Sequence, residues 1–498
     1  MIIFTKYTVG TCTTEIALAV FCCVYLLQNT FVLNKSSRNG DNMKKTNSFE
    51  IDMCNGPLLG KILRFSFPLI FSGVLQLLFN AADMIVVGKF AGKNSLAAVG
   101  STGALINLLV NVFMGLSVGV NVLVARYYGA NQEREVKDTV HTAITLSVVC
   151  GLFLSIIGIV LAKPLLALMD TPADVIDLAT LYMRVYFAGM PVMLLYNFAS
   201  SILRAVGDTI RPLLFLTIAG VINVGLNLVF VICLHMDVAG VALATVISQA
   251  FSAVCVVVCL MRDDASYKLD LRKLTINKKI TIQIARIGLP AGLQGAMFSI
   301  SNVLIQSSIN SFGSDAMAGN TAASNLEGFI YTAMNAFHQT AVSFISQNTG
   351  ARKFKRCLKV LIQCSVLVTV IGAAMCALGL IFAEPLLYLY TDEAIVMEYG
   401  LLRLNFIFLT YFTCGLMDVL TGCVRGTGHS VLPMIVSLIG VCAFRVVWIY
   451  TVFEATPTLE SLYMSYPISW ISTAVVHFLC FIFIHRKNVK NAAAESIA

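Results

Sequence analysis

Charged residues are scarce in this chain: Asp, Glu, Lys and Arg make up 12% of its 498 residues, whereas hydrophobic residues make up 58%. A soluble domain uses about a quarter of its residues as charges to cover its surface. The composition therefore excludes a soluble globular protein. A helix that crosses a bilayer needs about 20 mostly apolar residues, and runs of that length recur along most of the sequence. We predict a polytopic membrane protein.

Motifs for metal, redox and catalytic chemistry are also lacking. The 15 cysteines include no C-x-x-C pair, and most lie in apolar segments, where Cys behaves as a small buried hydrophobe. The chain has neither a Walker loop nor an H-E-x-x-H motif. Because no water-facing basic domain is present, the net charge of +8 indicates membrane topology rather than a nucleic-acid partner. We expect a protein that is not an enzyme and that has no cofactor.

Charged residues, Gly and Pro divide the chain into twelve apolar segments. We predict an all-α membrane protein with twelve transmembrane helices. The predicted helices cover 61–88, 95–125, 139–162, 178–204, 211–235, 238–261, 281–311, 316–348, 357–383, 396–424, 431–453 and 461–485.

Lys and Arg are concentrated in alternate connections between these helices. The longest connection, 262–286, contains seven of them, whereas the opposite side has only Lys89, Lys93 and Lys163. Basic loops stay on the cytoplasmic side of a membrane. We therefore predict that the twelve-helix core begins and ends in the cytoplasm.

One short motif occurs twice. LRAVGDTIRPL (203–213) and VRGTGHSVLPM (424–434) share the pattern Arg-x-x-Gly-x-x-x-x-Pro at an offset of 221 residues (425 − 204). Other segments repeat as well, so each half has six helices, and an even number makes the halves parallel repeats. We expect each motif to be the cytoplasmic turn between the fourth and fifth helices of its lobe, serving as a joint and a cytoplasmic anchor. The hinge residues are Arg204, Gly207, Pro212, Arg425, Gly428 and Pro433.

The repeat also sets the predicted segment boundaries. The first residues fit least well, because their apolar run at 16–33 is marginal for a membrane span. This run fits a signal-like segment, a thirteenth helix or sequence that is not natively translated, and we favour Met43 as the functional start. The predicted segments are an N-terminal extension (1–42), the N-lobe (43–261), a cytoplasmic linker (262–280), the C-lobe (281–486) and a cytoplasmic tail (487–498).

Four polar side chains occur at similar depth in predicted helices one, five and six. Asp83 lies six residues from Lys89, about 9 Å from the outer end of its helix. Asn227 and Thr245 each lie about 12 Å from that end, and Asn223 shares a helix face with Asn227. Such oxygen atoms bind hard cations, and a shielded carboxylate can carry a proton. We predict a site for H⁺ or Na⁺; interhelical hydrogen bonding is the alternative.

The C-lobe has its own polar residues inside predicted helices. Glu327 lies about 18 Å deep in helix eight, and Arg445 lies deep in helix eleven. Opposite charges at comparable depth predict an ion pair, which is either structural or tunes Glu327 as a proton carrier. Asp418 lies nearer the cytoplasm, where it reaches a cavity or pairs with the second hinge. His338 and Gln339 are candidates for lining that cavity.

Several segments together resemble the multidrug and toxic compound extrusion (MATE) family. They are the two Arg-x-x-Gly hinges, FNAAD in helix one, NVGLN in helix five and VAGVALATVISQ in helix six. The resemblance covers about 50–486. It implies two six-helix lobes that alternate between outward- and inward-open states and export lipophilic organic cations in exchange for H⁺ or Na⁺.

The resemblance also implies a multi-pass protein of the bacterial cytoplasmic membrane, which we expect to be a monomer. The ion site of the family's prokaryotic members falls on Asp83, Asn223, Asn227 and Thr245. The family's pattern usually has an aspartate where this chain has Asn227. With one carboxylate in place of two, we expect weaker Na⁺ binding or coupling in the C-lobe.

Two other functions fit parts of the sequence. A lipid-linked precursor flippase can share the helix count and the repeat, but it needs a basic central cavity for a pyrophosphate group. Arg445 is the only basic residue that is clearly deep in the predicted helices. A receptor or a membrane enzyme is the other alternative, but this chain has no sizeable soluble domain through which such a protein would act. An antiporter is therefore the preferred hypothesis.

Overall fold

The computed structural model describes residues 49–169 and 171–495, so the predicted extension at 1–42 lies outside the described residues. The described chain forms twelve long helical segments and no strand. Helices α1 to α6 are Leu58–Ala91, Lys93–Gly129, Glu133–Leu168, the pair Ile176–Ala188 and Met190–Val206, Ile210–Cys233, and Asp237–Arg262. Helices α7 to α12 are Lys278–Asn310, Ser314–Gly350, Phe354–Ile381, the pair Ala394–Phe408 and Phe412–Gly426, Val431–Phe453, and Leu459–Glu495.

These twelve helices match the twelve predicted from the sequence. Eight are long and apolar enough to cross a membrane, and the pairs that form α4 and α10, each bent by 47°, bring the number to ten. Helices α7 and α8 are 33 and 37 residues long but less apolar, because they carry many Asn, Gln and Ser side chains. The largest difference is at α12, which continues to Glu495 and makes the start of the predicted tail helical.

The two predicted hinges are tight turns between helices. Gly207 has φ +103° and Gly428 has φ +91°, a left-handed backbone conformation that favours glycine at the end of a helix. Pro212 and Pro433 occupy the first turn of the following helix. Backbone N–H groups in a first turn have no partner within the helix, so proline costs no hydrogen bond there.

The lobes meet where α2 crosses α7. Gly115 and Gly119 of α2 face Gly292 and Gly288 of α7. A Cβ atom added at Gly115 would lie 2.2 Å from the backbone nitrogen of Gly292, and one added at Gly119 would lie 2.5 Å from the backbone oxygen of Ile284. Small residues at such a crossing let two helix backbones touch. The glycines therefore set the distance between the lobes.

The same segment of α2, GLSVG (115–119), matches the G-x-S-x-G pattern of a nucleophile elbow. An elbow needs a strand-to-helix turn that exposes its serine, but this segment lies within a continuous helix. The Ser117 hydroxyl donates to the backbone oxygen of Met114 at 2.7 Å. The pattern here serves packing between lobes.

A short segment before α1, residues 49–56, crosses the lobe interface, and we call it the strap. It lies at the end of the bundle where Lys and Arg occur in or beside the connections 130–132, 207–209, 263–277 and 351–353, which we call the basic end.

The strap is bound to both lobes. Its Ile51 N–H donates to the Gly207 carbonyl of the N-lobe at 3.3 Å. Its fully buried Met53 accepts, through the backbone oxygen, from Arg356 Nε at 3.0 Å and from Asn348 Nδ2 at 3.1 Å, both of the C-lobe. Separating the lobes at the basic end would break one of these sets of bonds.

Hydrogen bonds between the lobes are confined, within the described residues, to the half of the bundle nearest the basic end. They include Ser66 of α1 to Thr340 of α8 at 2.8 Å and Ser343 of α8 to Asn121 of α2 at 3.1 Å. The space between the lobes is therefore closed at the basic end and faces the opposite end.

We expect Gly115→Leu to lower the melting temperature of the purified protein by several degrees. The new side chain must push α7 away, and overpacking of this kind costs about 1–3 kcal/mol or more. The matched control is Gly103→Leu on the same helix, since a Cβ at Gly103 meets no atom within 4 Å. Thermal unfolding in detergent measures both, and equal melting temperatures would contradict the role of the α2–α7 crossing.

Candidate functional site

Two neighbouring cavities lie inside the bundle. The central cavity, about 560 Å³, lies between the lobes, and the side cleft, about 240 Å³, surrounds Asp83 within the N-lobe. The two share part of their walls, so a molecule in the central cavity lies next to the cleft. The shared residues are Gln76, Asn80, Met114, Tyr196, Asn197 and Leu216.

The side cleft brings the four predicted N-lobe residues together. Asn227 Nδ2 donates to Asp83 Oδ1 at 2.5 Å, and the Thr245 hydroxyl donates to Asp83 Oδ2 at 3.4 Å. Asn223 accepts from Asn227 at 3.2 Å and donates to Thr245 at 3.4 Å. Depth along three helices, read from the sequence, thus located a real cluster. Its role in ion coupling stays a prediction.

Asp83 has no basic side chain beside it among the described residues that line the cleft. Neutral donors from α5 and α6 are its partners, and a half-buried carboxylate without a counter-charge costs stability. A proton or a cation would remove that cost. The side-chain oxygen of Asn227 is buried without a partner and offers a further ligand atom. The cluster therefore has the chemistry to hold H⁺ or Na⁺.

Glu327 pairs with Arg403 of α10, so the predicted pair with Arg445 is wrong. Arg403 Nε donates to Glu327 Oε1 at 2.6 Å and Arg403 Nη2 to Oε2 at 2.8 Å. Arg403 Nη1 also donates to Asn320 at 2.6 Å. Both charged groups are buried, and a bidentate pair of this kind fixes α8 against α10 with a defined geometry. Glu327 does not line the central cavity or the side cleft.

Arg445 lies against aromatic rings of α12. Its Cζ is 4.2 Å from the ring centroid of Tyr466 and 5.8 Å from that of Trp470, and its Nε donates to Ser469 at 3.2 Å. These are cation–π contacts within the C-lobe. Sequence depth placed Arg445 correctly but could not tell which helix face it occupies. The signal that was missed is Arg403 itself, an arginine inside the apolar run LLRLNFIF.

His338 and Gln339 line the central cavity, as predicted. His338 Nδ1 lies 2.7 Å from the backbone oxygen of Asp418, and its Nε2 lies 3.3 Å from Arg425 Nη1. The Asp418 carboxyl group is hydrogen-bonded to Tyr331 and does not line the cavity. His338 therefore fixes the position of α10 against α8 as well as facing the cavity.

The hinge arginines turn inward, which differs from the expected anchoring in the cytoplasm. Both Arg204 and Arg425 line the central cavity. Arg425 is 5% exposed, and its Nη2 donates to Gln294 at 2.8 Å. Arg204 Nη2 donates to Ser201 at 2.7 Å. Each arginine lies in the last helical turn before the hinge glycine, where the inner face of the helix borders the cavity.

We expect Arg403→Met to destabilise the protein far more than Glu327→Met combined with Arg403→Met. Removing one partner of a buried ion pair costs about 3–5 kcal/mol because it leaves an uncompensated charge, whereas replacing both partners is often nearly neutral. Melting temperatures in detergent measure the difference, with Arg352→Met at the exposed surface as a control. Equal losses in the single and double variants would contradict an ion pair as the main interaction.

Comparison with known proteins agrees with this architecture. The family model described as MatE matches twice, at residues 68–229 and 290–451, once in each lobe. A probable multidrug resistance protein of Bacillus subtilis (strain 168) is 26% identical over 432 residues, covering 85% of this chain and 93% of that protein. An FAD transporter of Shewanella oneidensis is 23% identical over 356 residues, covering 70% of this chain and 77% of that protein.

Solved structures have the same fold. A MATE family transporter of the MOP superfamily, described in an outward-facing conformation, superposes with a TM-score of 0.83 at 23% identity, covering 90% of this chain and 100% of that one. A MOP superfamily transporter from Pyrococcus furiosus, whose binding pocket is described as having reversed polarity, gives a TM-score of 0.82 at 23% identity, covering 89% and 99%. Since the family model matches both six-helix lobes, the chain is a membrane transporter that belongs to the MatE family.

Proposed function

We propose that this transporter is a secondary active multidrug efflux antiporter that exports organic compounds in exchange for H⁺ or Na⁺. The observation that carries the proposal is the side cleft, where Asp83 lies among neutral donors with no basic side chain in the lining. The names of the relatives for multidrug resistance and export support the same function. Substrates occupy the central cavity, which adjoins the cleft.

Helix α1 connects the ion site to the lobe interface. It carries Asp83 in its distal half and, nearer the basic end, Ser66 and Gly73. Ser66 bonds to Thr340 of α8, and a Cβ atom at Gly73 would lie 2.2 Å from Thr332 Cγ2 of the same helix. Neutralising Asp83 weakens its hydrogen bonds to Asn227 of α5 and Thr245 of α6, because hydrogen bonds to an ionised group are the stronger ones. The resulting shift of α1 acts on its contacts with α8 and favours separation of the lobes at the basic end.

The orientation follows from the distribution of charge. Basic connections stay in the cytoplasm, so the basic end faces inward and the central cavity faces outward. In the proposed cycle a cation enters from outside, binds at Asp83 and shifts the protein toward the inward-open state. The protein is then a multi-pass, monomeric component of the bacterial cytoplasmic membrane with its core termini in the cytoplasm.

H⁺ is the first candidate for the coupling ion. The cluster has one carboxylate, Asp83, and Asn227 stands where the MATE pattern usually has a second. Less negative charge weakens binding of Na⁺, which needs several oxygen ligands. A proton needs the single carboxylate only. The buried pair with Arg403 makes Glu327 a structural group rather than a second coupling site.

A lipid-linked precursor flippase is the second candidate function. Such a protein needs basic groups in its central cavity, and Arg204 and Arg425 provide two. The Shewanella relative named as an FAD transporter also handles a phosphate-bearing molecule, but one that is not linked to a lipid. Export of soluble or amphipathic organic compounds therefore ranks first.

We expect Asp83→Asn to reduce gradient-driven efflux from proteoliposomes at least tenfold, because an amide cannot take up a proton. Efflux of ethidium and of flavin mononucleotide is measured under an imposed pH gradient and then under a Na⁺ gradient. Asp315→Asn, at the exposed start of α8, is the matched control and should keep wild-type activity. If neither gradient drives efflux of either compound, the antiport proposal fails; full activity in Asp83→Asn would exclude the side cleft as the coupling site.

A further inference from the structure

The central cavity differs from the side cleft in the sign of its charged residues. Its charged lining residues are Arg204 of α4 and Arg425 of α10, one from each lobe. No Asp or Glu lines it in the described chain. The side cleft shows the opposite arrangement, with Asp83 and no Lys or Arg. The two cavities therefore favour ligands of opposite charge.

Neither arginine of the central cavity forms an ion pair with a carboxylate of the described chain. Two other arginines inside the described chain have carboxylate partners, Arg403 in Glu327 and Arg211 in Asp208, whereas Arg445 lies against the rings of Tyr466 and Trp470. Arg204 and Arg425 form no ion pair within 4 Å in that part of the chain. An unpaired buried charge is costly, and a bound anion would remove this cost.

Arg425 also has a hydrogen-bonding group to spare. Its Nη1 and Nη2 atoms contact His338 and Gln294, both neutral acceptors. Its Nε atom is buried without a partner. Asp418 is a buried carboxylate whose charge acts on Arg425, but the two groups form no salt bridge within 4 Å. The guanidinium group is therefore held in place by neutral hydrogen-bond acceptors, and no carboxylate of the described chain contacts it directly.

The rest of the lining suits a polar anion better than a flat lipophilic cation. A site for a flat lipophilic cation would combine a carboxylate with several aromatic faces. The described lining of the central cavity has no carboxylate, and Tyr196 and Tyr331 are its only Phe, Tyr or Trp residues. Amide and hydroxyl groups make up much of the wall and can donate hydrogen bonds to phosphate, carboxylate or sugar oxygens. The groups that keep a donor hydrogen not used in a hydrogen bond of the described chain are Gln76, Asn80, Asn111, Asn121, Asn197, Ser201, Thr209, Asn335 and Gln339.

We propose that the central cavity binds organic anions, with a carboxylate or phosphate group paired to Arg204 and Arg425, while Asp83 in the side cleft takes the coupling ion. Guanidinium groups bind such oxyanions through paired hydrogen bonds, and about 560 Å³ is in the range of cavities that hold drug-sized ligands. The proposal rests on the proposed antiport function and gives its substrate the charge opposite to that of the lipophilic cations implied by the family resemblance.

Equilibrium binding to the full chain in nanodiscs tests the proposal. The probes are flavin mononucleotide and riboflavin, which differ by one phosphate group, and ethidium as a cation. We expect flavin mononucleotide to bind at least tenfold more tightly than riboflavin, and its affinity to fall as salt is added. Equal affinities for the two flavins, or tighter binding of ethidium than of flavin mononucleotide, would overturn the proposal.

Variants of Arg204 locate the anion. Arg204→Gln should weaken binding of flavin mononucleotide on the order of tenfold and leave riboflavin unchanged, because only the phosphate loses a partner. Arg204→Lys keeps the charge and should recover part of the affinity. Arg352→Gln, at the exposed basic end, should bind as the wild type does. Unchanged binding in a folded Arg204→Gln protein would exclude this site.

Competition identifies the source of the anionic group. Undecaprenyl phosphate that displaces flavin mononucleotide in an Arg204-dependent way assigns the site to lipid-linked phosphates, whereas displacement by soluble nucleotides alone assigns it to free organic anions. Because these measurements need no gradient, their result is separate from that of the efflux assay. Ethidium efflux without flavin binding would support the antiport function and contradict the anion proposal. Flavin binding without gradient-driven efflux would support the anion proposal and contradict the antiport function.

Discussion

The backbone contact between α2 and α7 is the constraint on which the rest of the structure depends. Four glycines let the lobes touch in the half of the bundle nearest the basic end, and the strap ties the same end together through Gly207 and Arg356. A cavity between two rigid bodies opens on the side away from their contact. The glycines therefore decide both the volume of the central cavity and the face from which it is reached. Transport requires that this contact be broken and remade.

Buried charges divide into those that the protein neutralises and those that it leaves. Glu327 and Arg403 neutralise each other and join α8 to α10, so their pair holds the C-lobe as one body. Asp83, Arg204 and Arg425 form hydrogen bonds to neutral partners only, as does Arg445, which also lies against aromatic rings. Leaving a charge unpaired in a low-dielectric interior costs stability, and proteins retain such groups where a ligand supplies the missing charge.

Local patterns predicted most of the fold and part of the site. Helix number, helix bounds and the hinge glycines follow from apolar runs and breakers, which are properties of adjacent residues. The Asp83 cluster was also predictable, since three helices in sequence place it at one depth. Depth is one coordinate, however, and a pair also needs the correct helix face. Arg403 lies on the face of α10 that meets Glu327, whereas Arg445 lies against aromatic rings of α12.

The internal repeat shows how the two lobes have diverged in their tasks. At the offset of 222 set by 67–80 and 289–302 (289 − 67), Asp83 corresponds to Ile305, which is buried and apolar. The arginines at the basic end are kept in both lobes, as Arg204 and Arg425. Positive charge facing the central cavity is thus a shared property of the lobes, whereas the carboxylate that lines the adjoining side cleft, Asp83, belongs to the N-lobe. If one lobe senses the ion and both bind the cargo, a single protonation event is enough to change the packing of α1 and, through α8, the whole interface.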